Sequence, residues 1–136
     1  MTGDTGKIRY PARAFQHIDF SGIRYGNATP SNVDGVLELE DRLFVILEYK
    51  HASAQPMSKG QRTMIERITD GLDIGGRYAI AVISIHNSPV GEIIDGANSQ
   101  AVEVRWKSEW KSISHKNFTV KQCVDRAYNI AFHEPF

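Results

Sequence analysis

Asp34, Glu48 and Lys50 are the residues of this chain whose types and spacing suggest chemistry. Glu48 and Lys50 are two residues apart at the end of the apolar run Leu43 to Leu47, so a β-strand places both side chains on one face. The run itself predicts a central strand covered on both faces. Charged side chains at the end of a covered strand are costly, so they are expected either to be paired or to serve a function there.

The hairpin register decides whether Asp34 joins this pair. Two aliphatic runs flank a polar turn at residues 40–42, which predicts a β-hairpin. With a three-residue loop, Asp34 lies opposite Glu48, at a Cβ separation of roughly 5 Å. Carboxylates so close repel each other unless a cation lies between them or one is protonated. A two-residue loop would place them on opposite faces. We expect the three-residue loop, and with it a divalent metal.

A helix is expected from Lys59 to about Leu72, and it brings Gln61 towards the same end of the strand. Ser58 and Gln61 fit a capping box, in which the Gln side chain returns to the cap. Gln61, Ile65, Ile68 and Leu72 also form one stripe at helical spacing, which predicts a buried face. Both roles of Gln61, in the cap and in the site, remain open from the pattern.

The other elements complete an α/β fold. Tyr78 to His86 and Ala101 to Trp106 are expected as strands, and a short helix is expected over Pro11 to Ile18. Thr119 caps a final helix whose packing face comprises Val120, Cys123, Val124, Ala127, Ile130 and Ala131. The prediction is a single domain over residues 1–136, with a mixed central β-sheet flanked by helices in α-β-β-α-β order.

Composition is that of an ordinary globular protein, with 41% hydrophobic and 24% charged residues in 136. The single cysteine, Cys123, excludes an internal disulfide and is expected in the core.

No apolar run approaches the roughly 20 residues of a membrane span. Met1 to Lys7 also lacks the apolar part of a secretory signal. We therefore expect a cytoplasmic protein and no membrane partner. Five histidines without a two-His spacing do not support a zinc site.

Asp34, the Glu48-Tyr49-Lys50 triplet and Gln61 in a following helix resemble the PD-(D/E)XK nuclease superfamily. The stretch Ile18 to Gly35 is similar to that of small phage-encoded members, and the resemblance extends to about His86. It implies a restriction-endonuclease-like core. Its first strand is expected near Ile23 to Tyr25, where the strand pattern is poor.

The function implied by this resemblance is that of a Mg²⁺-dependent DNA endonuclease. Asp34 and Glu48 would bind the metal with the Tyr49 backbone carbonyl as a further ligand, and Mn²⁺ can substitute for Mg²⁺. Lys50 would orient the attacking water or the phosphate, and Gln61 would position that water or Lys50. Substrates in phage recombination or repair, including branched DNA, fit the small size, which is also compatible with a homodimer.

Two other interpretations compete with the nuclease. One is a catalytically inactive nucleic-acid- or protein-binding module on the same fold, and the other is an α/β domain in which Glu48 and Lys50 form only a salt bridge. The zero net charge counts mildly against nucleic-acid binding. Around Arg105-Trp106-Lys107 and Trp110-Lys111, bases and aromatic residues alternate as in a nucleic-acid groove, or as at an amphipathic strand end.

Three further polar residues, Asp19, His86 and Glu38, are candidates for a role near the predicted site. Asp19 could be an accessory metal ligand or form a turn before Ser21-Gly22. His86, at the end of its strand, could contact substrate or be structural. Glu38 shares a face with Asp34 but lies nearer the turn, so we expect it at the surface.

Overall fold

The computed structural model describes residues 18–133, of which residues 18–31 belong to one compact unit and residues 32–133 to a second. In the first unit, Tyr25 and Ala28 form an isolated β-bridge, with Gly26 at a positive φ of 63° between them. The first strand expected near Ile23 to Tyr25 is therefore reduced to this bridge. The helix expected from Pro11 lies outside the described residues, apart from Ile18, which is not helical. The single domain over residues 1–136 stays a prediction.

The second unit confirms an α/β class, with a five-stranded mixed sheet and two helices. Its elements are β1 (Gly35–Leu39), β2 (Leu43–His51), α1 (Lys59–Leu72), β3 (Tyr78–His86), β4 (Gln100–Trp106), β5 (Glu109–Ser112), a 3₁₀ turn (Ser114–Lys116) and α2 (Val120–His133). The strands lie in sequence order across the sheet. Strands β2 and β3 are parallel and connected through α1, whereas every other neighbouring pair is antiparallel.

Strand β5 was not expected from the sequence. It pairs with β4 through a turn at Lys107 and Ser108, whose φ angles are 51° and 63°. Asn and Gly are the usual residues for such a two-residue hairpin turn, because they tolerate positive φ most readily. The sequence therefore carries no turn signal at this point. Trp110 and Lys111 belong to an edge strand, and Trp106 ends its neighbour.

The two helices cover opposite faces of the sheet. Leu43 and Val45 of β2 pack in a cluster with Cys123 and Ala127 of α2. Ile46 of β2, whose side chain points to the other face, packs against Ile65 of α1. Strand β2 is thus an interior strand with both faces covered, as expected. Its alternation also places Glu48 and Lys50 on the side of α1.

The inward stripe of α1 differs from the expected one at a single position. Ile65 is fully buried, but Ile68 is 41% exposed, and the next buried position is Thr69, four residues after Ile65. The prediction followed apolarity and so passed over a threonine at the position that faces the sheet. On α2 the expected face is buried at Val120, Cys123, Ala127 and Ala131.

Truncation of Ile65 and Ile68 to alanine tests this assignment with two isoleucines on one helix. We expect Ile65→Ala to lower the free energy of unfolding by about 3 kcal/mol, because it leaves a cavity between α1 and the sheet. Ile68→Ala should change it by less than about 0.5 kcal/mol. Urea unfolding followed by circular dichroism measures both. Equal losses for the two variants would contradict the orientation of α1.

Candidate functional site

Asp34 lies beside Glu48 because of the register of the first hairpin. Leu39 pairs with Leu43 and Gly35 with Leu47, so the next step places Asp34 opposite Glu48. The three-residue loop that this requires has Glu40 and Asp41 at positive φ, and the carboxylate of Glu38 accepts a hydrogen bond from the Asp41 N–H at 2.7 Å. The predicted register is confirmed.

Asp34 is exposed, but its carboxylate is fixed by the backbone of β2. Its Oδ2 accepts a hydrogen bond from the Tyr49 N–H at 2.7 Å. A carboxylate that accepts from a backbone amide is held in position without being neutralised. The Asp34 carboxylate is therefore held next to the strand end that carries Glu48 and Lys50.

Glu48 is an almost completely buried carboxyl group, with 4% of its surface exposed. Its Oε1 lies 3.7 Å from the Lys50 ammonium, and its buried Oε2 has no hydrogen-bond partner among the described residues. Burial, and then the charge of Asp34, raise the pKa of Glu48, while Lys50 acts in the opposite direction. An ionised Glu48 is thus only partly compensated by its protein neighbours.

Lys50 and Gln61 extend the site onto helix α1. The Lys50 Nζ donates to Gln61 Oε1 at 3.3 Å, and the Gln61 Nε2 donates to the Asn32 carbonyl at 3.4 Å. The backbone N–H of Gln61 donates to Ser58 Oγ at 3.1 Å, so Ser58 caps α1 as expected. The hydrogen bonds of the Gln61 side chain therefore join it to Lys50 and Asn32 of the site, not to the helix cap.

Tyr49, between the acid and the base, points to the opposite face of the sheet. Its hydroxyl donates to the Gly96 carbonyl at 3.0 Å, and burial raises the pKa of its phenol. A Cβ at Gly96 would lie 2.8 Å from this hydroxyl oxygen, so a larger residue there would displace the Tyr49 ring. This bond ties the loop that precedes β4 to the strand end that carries Glu48 and Lys50. The use of the Tyr49 carbonyl as a metal ligand stays a prediction.

The donor set fits a hard divalent cation with few protein ligands. Within residues 18–133, no group of three or more His, Cys, Asp or Glu side chains could hold a metal ion. Mg²⁺, however, is commonly bound by one or two carboxylates and keeps several waters. A cation would explain why the buried Oε2 of Glu48 has no hydrogen-bond partner among the described residues, in a carboxyl group that also experiences the charge of Asp34. Zinc, which takes four protein side chains in structural sites, is not matched by this pair.

The remaining candidates take part in local contacts. Asp19 is exposed, and its carboxylate accepts a hydrogen bond from the Ser21 N–H at 2.9 Å, which lowers the pKa of Asp19 and matches a turn-forming role. Glu38 is at the surface, as expected. His86 accepts from the Ser88 N–H at 3.2 Å through Nδ1, and its ring meets the ring of His51 edge to face at 5.4 Å.

The His51–His86 contact was missed in the sequence. The two residues end the parallel strands β2 and β3 and are directly paired. Carboxyl ends of parallel strands meet at one edge of a sheet, and this rule could have found the pair. The contact places two imidazoles at the edge where β2 ends, one residue beyond Lys50.

Arg105 and Trp110, two of the alternating bases and aromatic residues of β4 and β5, contact acids of α1. Arg105 forms a bidentate ion pair with Asp70 at 2.6 and 3.1 Å, and the Trp110 indole donates to Glu66 at 2.6 Å. The Arg62 guanidinium lies 4.1 Å from the centre of the Trp110 ring. These contacts match the interpretation of an amphipathic strand end and hold α1, with Gln61, against the sheet.

Comparison with known proteins identifies no relative of this chain. No protein-family model matches the chain, and neither a curated protein nor a solved structure is significantly similar to it. Among the described residues, no helix has the length and apolarity needed to cross a membrane.

Glu48→Gln is expected to stabilise the protein in the absence of metal. Because the pKa of Glu48 is raised above its ordinary value of 4.5, the unfolded chain loses this proton first, and folding stability falls as the pH rises through the raised pKa. Glutamine does not ionise, so the stability of the variant does not fall in this way as the pH rises. Its free energy of unfolding at pH 7 should exceed that of the wild type by on the order of 1 kcal/mol.

Urea unfolding at pH 4 and pH 7 measures this effect, with Glu38→Gln as the control at an exposed carboxylate. The advantage of Glu48→Gln should shrink at pH 4, which lies below the ordinary pKa of 4.5 and so favours the protonated wild-type carboxyl in both states. A destabilised Glu48→Gln at pH 7 would show that the carboxylate is well compensated by Lys50.

Proposed function

We propose that the chain is a Mg²⁺-dependent DNA endonuclease with a restriction-endonuclease-like core of the PD-(D/E)XK type. The observation that carries the proposal is the buried Glu48 carboxyl, whose Oε2 has no hydrogen-bond partner among the described residues. Its Oε1 lies 3.7 Å from the Lys50 ammonium, and burial, together with the charge of Asp34, raises the pKa of this carboxyl. Two acids and a lysine converging at a strand end are the groups that metal-assisted phosphodiester hydrolysis needs.

Asp34 and Glu48 are the residues that would hold the metal ion. When bound, Mg²⁺ or Mn²⁺ supplies an activated water and stabilises charge on the phosphate. Asp34 is suited to this because its Oδ2 is anchored on the Tyr49 N–H while the residue remains exposed. Glu48 is suited because one of its oxygens has no other partner among the described residues. A cation between them also relieves the repulsion of the pair.

Lys50 provides the positive charge for the reacting phosphate. Its side chain is 28% exposed, so the ammonium reaches solvent while it contacts Glu48 and Gln61. Gln61 accepts a hydrogen bond from this ammonium and donates to the Asn32 carbonyl, and so limits the positions that Lys50 can take. Lys50 would bind the scissile phosphate or orient the attacking water, and Gln61 acts as a positioning residue.

The ion pair of Glu48 and Lys50 alone is the simpler alternative. The 3.7 Å separation of Nζ and Oε1 is at the long end for an ion pair, and the second oxygen of Glu48 gains nothing from it. Burying a carboxylate without full compensation destabilises a fold. A buried carboxyl with a raised pKa beside a lysine and a second acid is more typical of a functional site than of a residue that only stabilises the fold.

Removal of the central groups should abolish DNA cleavage. Lys50→Met and Glu48→Gln are expected to lower the rate at least about 100-fold, because Lys50 stabilises charge on the phosphate and Glu48 would hold the metal ion. Purified protein is incubated with supercoiled plasmid, single-stranded DNA and four-way-junction DNA in Mg²⁺, Mn²⁺ or EDTA. Cleavage should require the metal, and the preferred substrate identifies the class of DNA that is cut.

The controls are Lys121→Met, an exposed lysine paired with Asp125 on α2, and Glu38→Gln, an exposed acid on β1. Both should cleave as the wild type does. Metal-dependent cleavage that survives in Lys50→Met and Glu48→Gln would exclude this site. A folded wild type that cuts none of the substrates but binds DNA equally with and without metal would favour the catalytically inactive binding module.

A further inference from the structure

A second site lies on the opposite face of the sheet from Glu48. A cavity of about 450 Å³ opens between α2 and strands β3 to β5, with Ile80, Val104, Ile113 and Cys123 in its lining. These core residues retain 7–8% exposure, whereas Leu43 and Val45 in the same cluster have none. The core is therefore incompletely closed on this side. The volume is within the range of small-molecule pockets.

The polar part of the cavity is cationic. Lys111 of β5, Lys116 of the 3₁₀ turn and Arg126 of α2 line it, and the described lining contains no Asp or Glu. None of the three forms an ion pair with a described carboxylate, although six ion pairs occur elsewhere in the described part of the chain. In a protein of zero net charge, three cations from three elements at one apolar cavity, none paired with a described carboxylate, mark a region of positive potential.

We propose that this cavity binds a small organic anion, with its acidic group at Lys111, Lys116 and Arg126 and its apolar body on the floor of Ile80, Val104 and Ile113. The recess combines an apolar floor with a few charged groups at its edge, which is the composition of sites that fix the orientation of small molecules. A carboxylate on an aliphatic or an aromatic body meets the same requirements. The floor belongs to the face covered by α2, so this proposal does not depend on the nuclease site.

The reactivity of the Cys123 thiol can show whether the cavity holds a ligand. It is the only cysteine of the chain, lines the cavity and is 7% exposed. Burial raises the pKa of its thiol, so alkylation is best followed in mildly alkaline buffer. A molecule seated on the floor would cover the sulfur and slow its reaction with iodoacetamide.

The first experiment measures Cys123 alkylation in the wild-type chain by mass spectrometry, with decanoate and naphthoate as the probes. At about ten times its dissociation constant, a bound anion should slow alkylation roughly tenfold. Decanol and naphthalenemethanol, which have the same apolar bodies without the charge, should protect far less. Protection by decanoate alone or by naphthoate alone distinguishes an aliphatic from an aromatic ligand.

The second experiment removes the three cations together as Lys111→Gln/Lys116→Gln/Arg126→Gln. The concentration of anion needed for half protection should rise about tenfold, because three favourable charge contacts are lost. The matched control is Arg24→Gln/Lys59→Gln/Arg67→Gln, which makes the same change in net charge at residues outside the described cavity lining. This control should bind as the wild type does.

Three results would overturn the proposal: no protection by either anion up to its solubility limit, equal protection by the neutral alcohols, or unchanged protection in the triple variant of the cavity. Because the first experiment uses the unmodified protein, a triple variant that fails to fold does not remove the test.

Discussion

The close approach of the Asp34 and Glu48 carboxylates is the interaction on which the candidate site depends. It follows from the three-residue turn, which fixes the register of β1 against β2, and from the Tyr49 N–H, which holds the Asp34 side chain. A shift of one residue would send these carboxylates to opposite faces. The proximity of Asp34 and the burial of Glu48 both make an ionised Glu48 costly. Such a cost is typical of functional sites, where stability and activity conflict.

The surroundings of the pair are built to be rigid. Helix α1 is anchored to β4 by two bidentate ion pairs, Arg62 with Glu103 and Arg105 with Asp70. This fixes the helix end from which Gln61 reaches Lys50. Because Arg62 and Arg105 are paired with carboxylates, they are less available to bind nucleic acid. Among the described residues, three cations without an ion-pair partner line the apolar cavity on the face of α2.

Much of this could be predicted because hydrophobic patterning and turn length act locally. The apolar run Leu43 to Leu47, the three-residue turn and the Ser58 cap predicted the first hairpin and the start of α1. Together with the spacing of Glu48 and Lys50, they also predicted that Asp34, Glu48, Lys50 and Gln61 come together. Strand β5 was missed because its turn uses Lys107 and Ser108 at positive φ. Ile68 was placed inward because the pattern could not show that Thr69 faces the sheet. The His51–His86 contact and the cavity arise from tertiary packing between distant segments.

Calorimetric titration with Mg²⁺ is the most direct test of the central claim, that Asp34 and Glu48 form one cation-binding unit. In buffers of different ionisation enthalpy at mildly acidic pH, the account predicts binding of one Mg²⁺ with release of protons, because the pKa of Glu48 is raised and a metal ion binds its ionised form. Both the binding and the proton release should disappear in Asp34→Asn/Glu48→Gln. Equal binding in this double variant, or no binding to the folded wild type, would contradict the account.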